Sequence, residues 1–222
     1  MQKRILKTTL IAFVILLISI TRVNAQSNLP YIDDKPIHFG YSLGVNFMDF
    51  AVVPADVNKD ITVSSVMPGF SVGAISDLRL SRYFNLRFTP TLMLNQRTLS
   101  YTDLNDVQVL SVPLYLPFYI KYSSERKNNY RPYVLAGGGF WMDWGRNKDR
   151  AVLLKPLDML IEAGVGCDLY FSFFKLSPEL KFAVGLNNVL TPNAMRDNTT
   201  FPETDAISKL TTRMITLSFN IE

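Results

Sequence analysis

The chain has 222 residues, 19% of them charged and 12% aromatic, with a single Cys, which bounds it to one or two modest domains that are neither disordered nor built on disulfides. Of its 23 basic residues, four (Lys3, Arg4, Lys7 and Arg22) fall in the first 25 positions, where there is no Asp or Glu. The 19 that remain face 19 acidic residues, so the electrostatic case for a nucleic-acid partner disappears.

At the N-terminus the basic stretch precedes an apolar run, Leu10 to Ile20, and then the small-residue site Val23-Asn24-Ala25. That order predicts a secretory signal, residues 1–25, cleaved after Ala25. The alternative is a membrane anchor, but the run is shorter than the roughly 20 residues a spanning helix needs. Cleavage would leave Gln26 first, with no Cys for lipid attachment. Residues 26–36 then form a periplasmic lead-in and 37–222 the folded body. Cys167 has no partner for an internal disulfide, and with one histidine, His38, the chain offers too few soft ligands for zinc or haem. No cofactor is expected.

From residue 37 onward the periodicity is two. Ile37, Phe39, Tyr41, Leu43, Val45 and Phe47 alternate with His38, Gly40, Ser42, Gly44 and Asn46. The same design returns in the rows Phe84 to Leu94, Val112 to Tyr122, Leu157 to Leu169, Phe174 to Leu186 and Ile215 to Ile221. Less regular alternation at 70–80 and 132–142 brings the expected strand count to eight. Short joins near 81–82, 123–130 and 171–172 alternate with longer polar ones at 49–66, 100–108, 145–155 and 187–208. Short and long joins would therefore gather at opposite ends, as in an eight-stranded antiparallel up-and-down transmembrane β-barrel with short periplasmic turns.

Alternation alone fits a soluble lipocalin-like barrel equally well. The second face decides, because it carries Gly, Ser, Thr, Asn and scattered charges in place of the Lys and Glu of a water-facing surface. The apolar face is accordingly expected to meet lipid, with Phe39, Phe47, Phe84, Tyr122, Phe174 and Phe219 as interfacial aromatics. Against this stand Pro90, Pro113, Pro117, Pro132, Pro156 and Pro178, which lie in or beside expected strands although a closed barrel has no free edge.

If Phe171-Ser172 forms a two-residue hairpin, Asp168 opposes Lys175 and Glu162 opposes Lys181 on the lumenal face. A three-residue turn at Ser81 to Tyr83 sets Asp77 across from Arg87, with His38 close to Asp77; Glu179 shares the inward row. These residues read as a lumenal polar relay or, more simply, as charges paired to offset desolvation. Any Ser-His-Asp chemistry would need His38, which is expected at the periplasmic rim, away from the long loops. Gly137-Gly138-Gly139 lacks the ending of a phosphate loop and reads as room for neighbouring bulk. Arg146, Lys148 and Arg150 read as a solvated loop able to touch lipopolysaccharide phosphates, and Asn198-Thr199-Thr200 is a glycosylation sequon only in a eukaryotic secretory context.

Four stretches then carry a resemblance: Lys35-Pro36-Ile37-His38-Phe39-Gly40 leading to Met48-Asp49-Phe50; Arg87-Phe88-Thr89-Pro90; Arg131-Pro132-Tyr133-Val134-Leu135-Ala136-Gly137-Gly138; and Ser177-Pro178-Glu179-Leu180-Lys181-Phe182. In order and spacing they resemble the PorT family of outer-membrane barrels from Bacteroidota. The resemblance implies a non-enzymatic accessory of the type IX secretion system, needed for cargo export and, in gliding species, for surface adhesins. It implies outer-membrane lipid, lipopolysaccharide and translocon components as neighbours. A structural or adhesion barrel displaying its long loops is the second expectation, and a lipid-modifying enzyme using His38 the third.

Overall fold

Bulky apolar residues at every second position leave a helix no single face to bury, and the chain folds as strands paired in sequence order. The computed structural model describes residue 29 and residues 32–55, 61–101, 107–143, 152–193 and 202–222. The expected signal segment 1–25, the basic loop residues Arg146, Lys148 and Arg150, and Asn198-Thr199-Thr200 lie outside the described residues. A 3-10 turn, Ile32–Asp34, leads into β1 (Ile37–Pro54), β2 (Ile61–Val66), β3 (Pro68–Arg79), β4 (Phe84–Phe88), β5 (Thr91–Tyr101), β6 (Val107–Ser111), β7 (Pro113–Ser123), β8 (Tyr130–Asp143), β9 (Leu157–Tyr170) and β10 (Lys175–Gly185). A one-turn helix, α1 (Pro202–Asp205), precedes β11 (Ile207–Ile221).

All pairings are antiparallel: β1 with β3, β2 with β5, β3 with β4 and β5, β4 with β7, β5 with β6 and β7, then β7 through β11 each with the next. Strand β11 returns to pair with β1 from Tyr41↔Ile221 to Pro54↔Ile207, which closes the ring. Breaks at Met67, Thr89-Pro90 and Val112 interrupt the pairing without turning the chain. Thus β2 with β3, β4 with β5, and β6 with β7 are single crossings, and the eleven segments among the described residues make eight. The fold is an eight-stranded antiparallel up-and-down barrel.

Five of the prolines that a closed barrel should not tolerate sit where the ladder lapses or a strand begins. Pro90 falls in the gap between β4 and β5, and its carbonyl still accepts from Ala74 at 3.1 Å. Pro117 lies on the neighbouring strand beside that gap, accepting from Thr89 at 3.3 Å. Pairing of β9 with β10 skips from Leu176↔Leu169 to Glu179↔Gly166, leaving out Pro178. Pro113 opens β7 and Pro156 immediately precedes β9. The missing donors of these five therefore fall at a strand start or a local lapse. Pro132, by contrast, is the third residue of β8, in its continuous register with β9 (Pro132↔Cys167) and just outside its register with β7, which begins at Tyr133.

Burial runs opposite to that of a soluble protein. Phe39 and Tyr41 are each 72% exposed, whereas Ser42 and Asn46 on the other face are 5% and 0% exposed. No helix among the described residues is long and apolar enough to cross a membrane; the crossing is made by strands. On β1 the outward apolar row runs from Ile37 to Phe47 and stops at Asp49, which stands across from Arg213. About eleven residues at about 3.3 Å rise, tilted near 45°, cover the roughly 25 Å apolar band of an outer membrane. Phe39, Phe47, Phe84, Tyr122 and Phe174 face outward near the ends of this band, while Phe219, across from Leu43, lies deeper in it.

The turns at 80–83, 124–129 and 171–174 share one end with the 3-10 turn, and the connections 55–60, 102–106, 144–156 and 186–206 share the other. The joins expected to be long at 49–66 and 100–108 are partly strand, because β1, β2, β5 and β6 run on past the apolar band, which leaves them no longer than 124–129. Toward the long-connection end the lumen is stoppered by Met48, Met93, Tyr115, Trp141, Leu160 and Met214. Beyond the apolar band β1 and β11 continue as a paired ribbon. Its inner residues Phe50, Ile207 and Leu210 pack against Val152, Leu154, Val189 and Leu190, closing that mouth with a small apolar lid.

Candidate functional site

Below the apolar stopper, the inward row of each strand brings its polar residues to one level of the lumen. Arg87, on β4, is 1% exposed and occupies the centre. Its guanidinium reaches the Asp77 carboxylate at 2.7 Å, Glu222 at 3.0 Å and Glu179. Asn85 donates to Asp77 at 2.5 Å, and the Tyr133 hydroxyl donates to Glu179 at 2.7 Å. Lys181 lies 3.6 Å from Glu179, and Lys175 pairs with Glu222 at 2.7 Å. Lys121 donates to both oxygens of Asp168, at 3.1 and 2.8 Å, and the Ser177 hydroxyl donates to the same carboxylate at 2.5 Å. The Lys121 ammonium also sits 3.9 Å over the Tyr133 ring, close enough for a cation–π attraction.

Four cations (Arg87, Lys121, Lys175 and Lys181) thus balance four carboxylates (Asp77, Asp168, Glu179 and Glu222) in direct pairs. Glu162 stands apart. Its carboxylate accepts from the hydroxyls of Tyr115 at 3.0 Å and Tyr119 at 2.7 Å. The space beside it, lined by Ser42, Thr216 and Lys181, leaves about 10 Å³ for a water's centre, which is room for about one molecule. Glu162 and Glu179 are each 2% exposed and face the lumen, not lipid. His38 is the register partner of Asp77 and is 8% exposed, near the short-turn end.

Asp77 stands across from Arg87, in the register set by a three-residue turn. The pairs expected around the β9–β10 turn differ. Phe171 N–H donates to the Phe174 carbonyl at 2.9 Å, so the two-residue turn is Ser172-Phe173 instead of Phe171-Ser172. Moving the turn by one residue shifts every opposed pair by two and leaves each side chain on its own face. Glu162 therefore faces Ala183, not Lys181, and Lys175 faces Tyr170, not Asp168. The cations for Asp168 and Glu179 come instead from β7 and β4, across the lumen, because long side chains in so narrow a tube meet partners that are not strand neighbours.

Sequence reasoning passed over Lys121, Tyr115, Tyr119, Tyr133 and Glu222. The signal was parity: Tyr115, Tyr119 and Lys121 interleave with the outward row Leu114 to Tyr122, and Glu222 extends the inward row of Ser218 and Asn220. Gly137 and Gly139 belong to the same inward parity on β8. A Cβ on Gly139 would come 2.5 Å from the Pro117 Cα and the Leu116 carbonyl, so the room they preserve is for the neighbouring backbone.

Chemically the network joins the strand walls across the tube and fills it. Residues 24–191 match the protein family described as Outer membrane protein beta-barrel domain. Solved structures that resemble the chain include Neisserial surface protein A, 7% identical with a TM-score of 0.49 over 84% of this chain and 99% of that one. OprG from Pseudomonas aeruginosa is 12% identical with a TM-score of 0.42, covering 82% of this chain and 93% of its own. AlkL, solved by solid-state NMR in DMPC bilayers, is 13% identical with a TM-score of 0.42, covering 90% and 93%. No curated protein matches the sequence. The fold rests on the closed strand register and the family match, not on these structural likenesses.

Proposed function

The chain belongs to the outer membrane protein beta-barrel domain family, and from that premise we propose that it is a non-enzymatic accessory or assembly factor of type IX protein secretion. Its place is the outer membrane, as an eight-crossing barrel whose wall contacts lipid. The observation that carries the proposal is the filled lumen. Charged side chains bridge the lumen on the short-turn side, and Met48, Met93, Trp141 and Met214 stopper it on the other. A tube of this size filled by its own side chains has no passage for cargo, so any part in export falls to its rims and outer wall. The resemblance to the PorT family supplies the process, export of cargo and, in gliding species, of surface adhesins.

The proposal includes a signal segment, 1–25, removed on export, a periplasmic lead-in, 26–36, and a barrel from 37 to 222. Translocon components would be protein neighbours, and lipopolysaccharide would surround the outer half of the wall. The reading of no catalysis is supported by His38, which lies on the short-turn side, away from the long connections. Deleting the gene and assaying the medium tests the role: cargo should stay in the cell while the remaining outer-membrane proteins are unchanged, and normal cargo release would dispose of it.

A second reading, a structural or adhesion barrel, is favoured by the apolar lid. Val189 and Leu190 before residues 194–201, and Ala206, Ile207 and Leu210 after them, all pack into this lid, a firm base for a displayed segment. Excising 194–201 should then abolish surface adhesion and leave secretion intact; unchanged adhesion would remove this reading.

A further inference from the structure

The mouth on the short-turn side carries a second charged cluster that the lumenal network does not use. Arg79, Arg82, Arg126 and Arg131 line it with Asp33, Asp34 and Glu125, around a cavity of about 250 Å³, and Glu125 pairs with Arg82 at 3.1 Å. Two of the arginines are fixed from behind by backbone carbonyls. Arg131 donates to the carbonyls of Ser124 at 2.8 Å and Arg82 at 2.7 Å. Arg126 donates to the Asn128 carbonyl at 2.8 Å and lies 3.6 Å over the Tyr170 ring. The Nη1 atoms of both arginines converge on Asp33, each at 3.6 Å, and the Tyr170 hydroxyl donates to the same carboxylate at 2.7 Å. Arg79 donates to the backbone carbonyl of Asp33 at 2.6 Å and to the Asp34 carboxylate at 3.0 Å.

The cluster therefore reads an Asp-Asp step: two side-chain carboxylates and the peptide carbonyl between them. Charge-assisted N–H···O bonds close to about 2.7–2.9 Å. At 3.6 Å the two anchored arginines attract Asp33 without bonding it, Arg126 Nη1 donating instead to the Leu29 carbonyl at 3.1 Å, and the cavity stays open beside Asp33 and Asp34, so the seat is wider than its occupant. We infer that this arginine cage is a docking site for an acidic segment of a periplasmic protein, and that Asp33-Asp34 fills it as a tethered competitor. A peptide is the occupant because Arg79 reads a main-chain carbonyl, which a phosphate or a sugar acid does not present in that relation to two carboxylates. The inference goes beyond the secretion role and holds whichever process the barrel serves. It shares with that role only the placing of the short turns in the periplasm.

The test uses the full chain in detergent micelles and a short fluorescent peptide with a central Asp-Asp, beside a twin carrying Asn-Asn, read by anisotropy. If the tether fills the seat about nine-tenths of the time, the D33N/D34N variant should bind the acidic peptide about tenfold tighter than the parent. The R126Q/R131Q variant should bind neither peptide. Arg79→Gln, at the rim, should weaken binding severalfold and serves if the double arginine variant does not fold. Equal binding of the Asn-Asn twin, no tightening in D33N/D34N, undiminished binding in the arginine variants, or displacement of the peptide by an equal concentration of inorganic phosphate would each overturn the inference.

Discussion

Arg87 touches three carboxylates, each of them buried, so its removal leaves Asp77 with no direct cation and takes from Glu179 and Glu222 one of their two, Lys181 and Lys175 being the others. Arg87→Met is expected to cost about 3–5 kcal/mol, read as a fall in the urea midpoint of the barrel refolded in lipid vesicles. Glu162 behaves differently because phenol hydroxyls hold it. Glu162→Gln keeps an acceptor for both tyrosines and should change stability by less than about 1 kcal/mol; a loss as large as that of Arg87→Met would mean that an ion pair at Glu162 has been overlooked. At this scale the sequence was legible where a turn fixes the register, as for Asp77 and Arg87. It was not legible where partners meet across the tube, as for Lys121 with Asp168 and Arg87 with Glu179, because strand order says nothing about which long side chains converge at the axis.

Among the elements, register follows from turn chemistry and breaks follow from proline. The turn at 171–174 shows how fine the dependence is: Phe171 stacks on Phe174 with centroids 4.9 Å apart, and closing the turn between them places Ser172 and Phe173 at its tip. The sequence carried the length of this turn but not its position, since Phe171-Ser172 and Ser172-Phe173 preserve the same alternation. The pairing of β7 with β8 depends on close approach at Gly139, where a Cβ would meet backbone atoms of Leu116 and Pro117. Gly139→Ala should force the two strands apart and destabilise the barrel by about 1–3 kcal/mol, measured by the same urea titration. An unchanged midpoint would mean that the strands have slack there.

At the scale of the molecule, the outward rows are a solvent match to hydrocarbon and the inward rows a self-satisfying filling. Strand number and the direction of the apolar face were legible, because each depends only on period two and on what the second face contains. The join lengths were only half so, since 49–66 and 100–108 are partly strand extending beyond the apolar band. The apolar stopper and the lid were not, since Met48, Leu160 and Met214 are apolar residues on an otherwise polar inward parity. Such exceptions become meaningful only when the ring closes. A filled tube should show no stepwise conductance in a planar bilayer, and discrete open-channel steps would contradict it. Leu43→Arg, near the middle of the outward row of β1, should cost about 2–4 kcal/mol and Ile37→Arg at the rim about 0–1 kcal/mol, a difference that a wall facing water would not produce.

The most direct measurement is a nitroxide scan of Ile37, Phe39, Leu43 and Phe47 in lipid vesicles, on a Cys167→Ser background, comparing collisions with oxygen against a water-soluble nickel chelate. The expected result is high oxygen and low nickel access at all four positions, with the deepest signal at Leu43 and shallower ones toward Ile37 and Phe47. Labels that are shielded from both reagents, or reached freely by nickel, would show that these residues pack into a protein core or face water, and the barrel would not be a membrane protein.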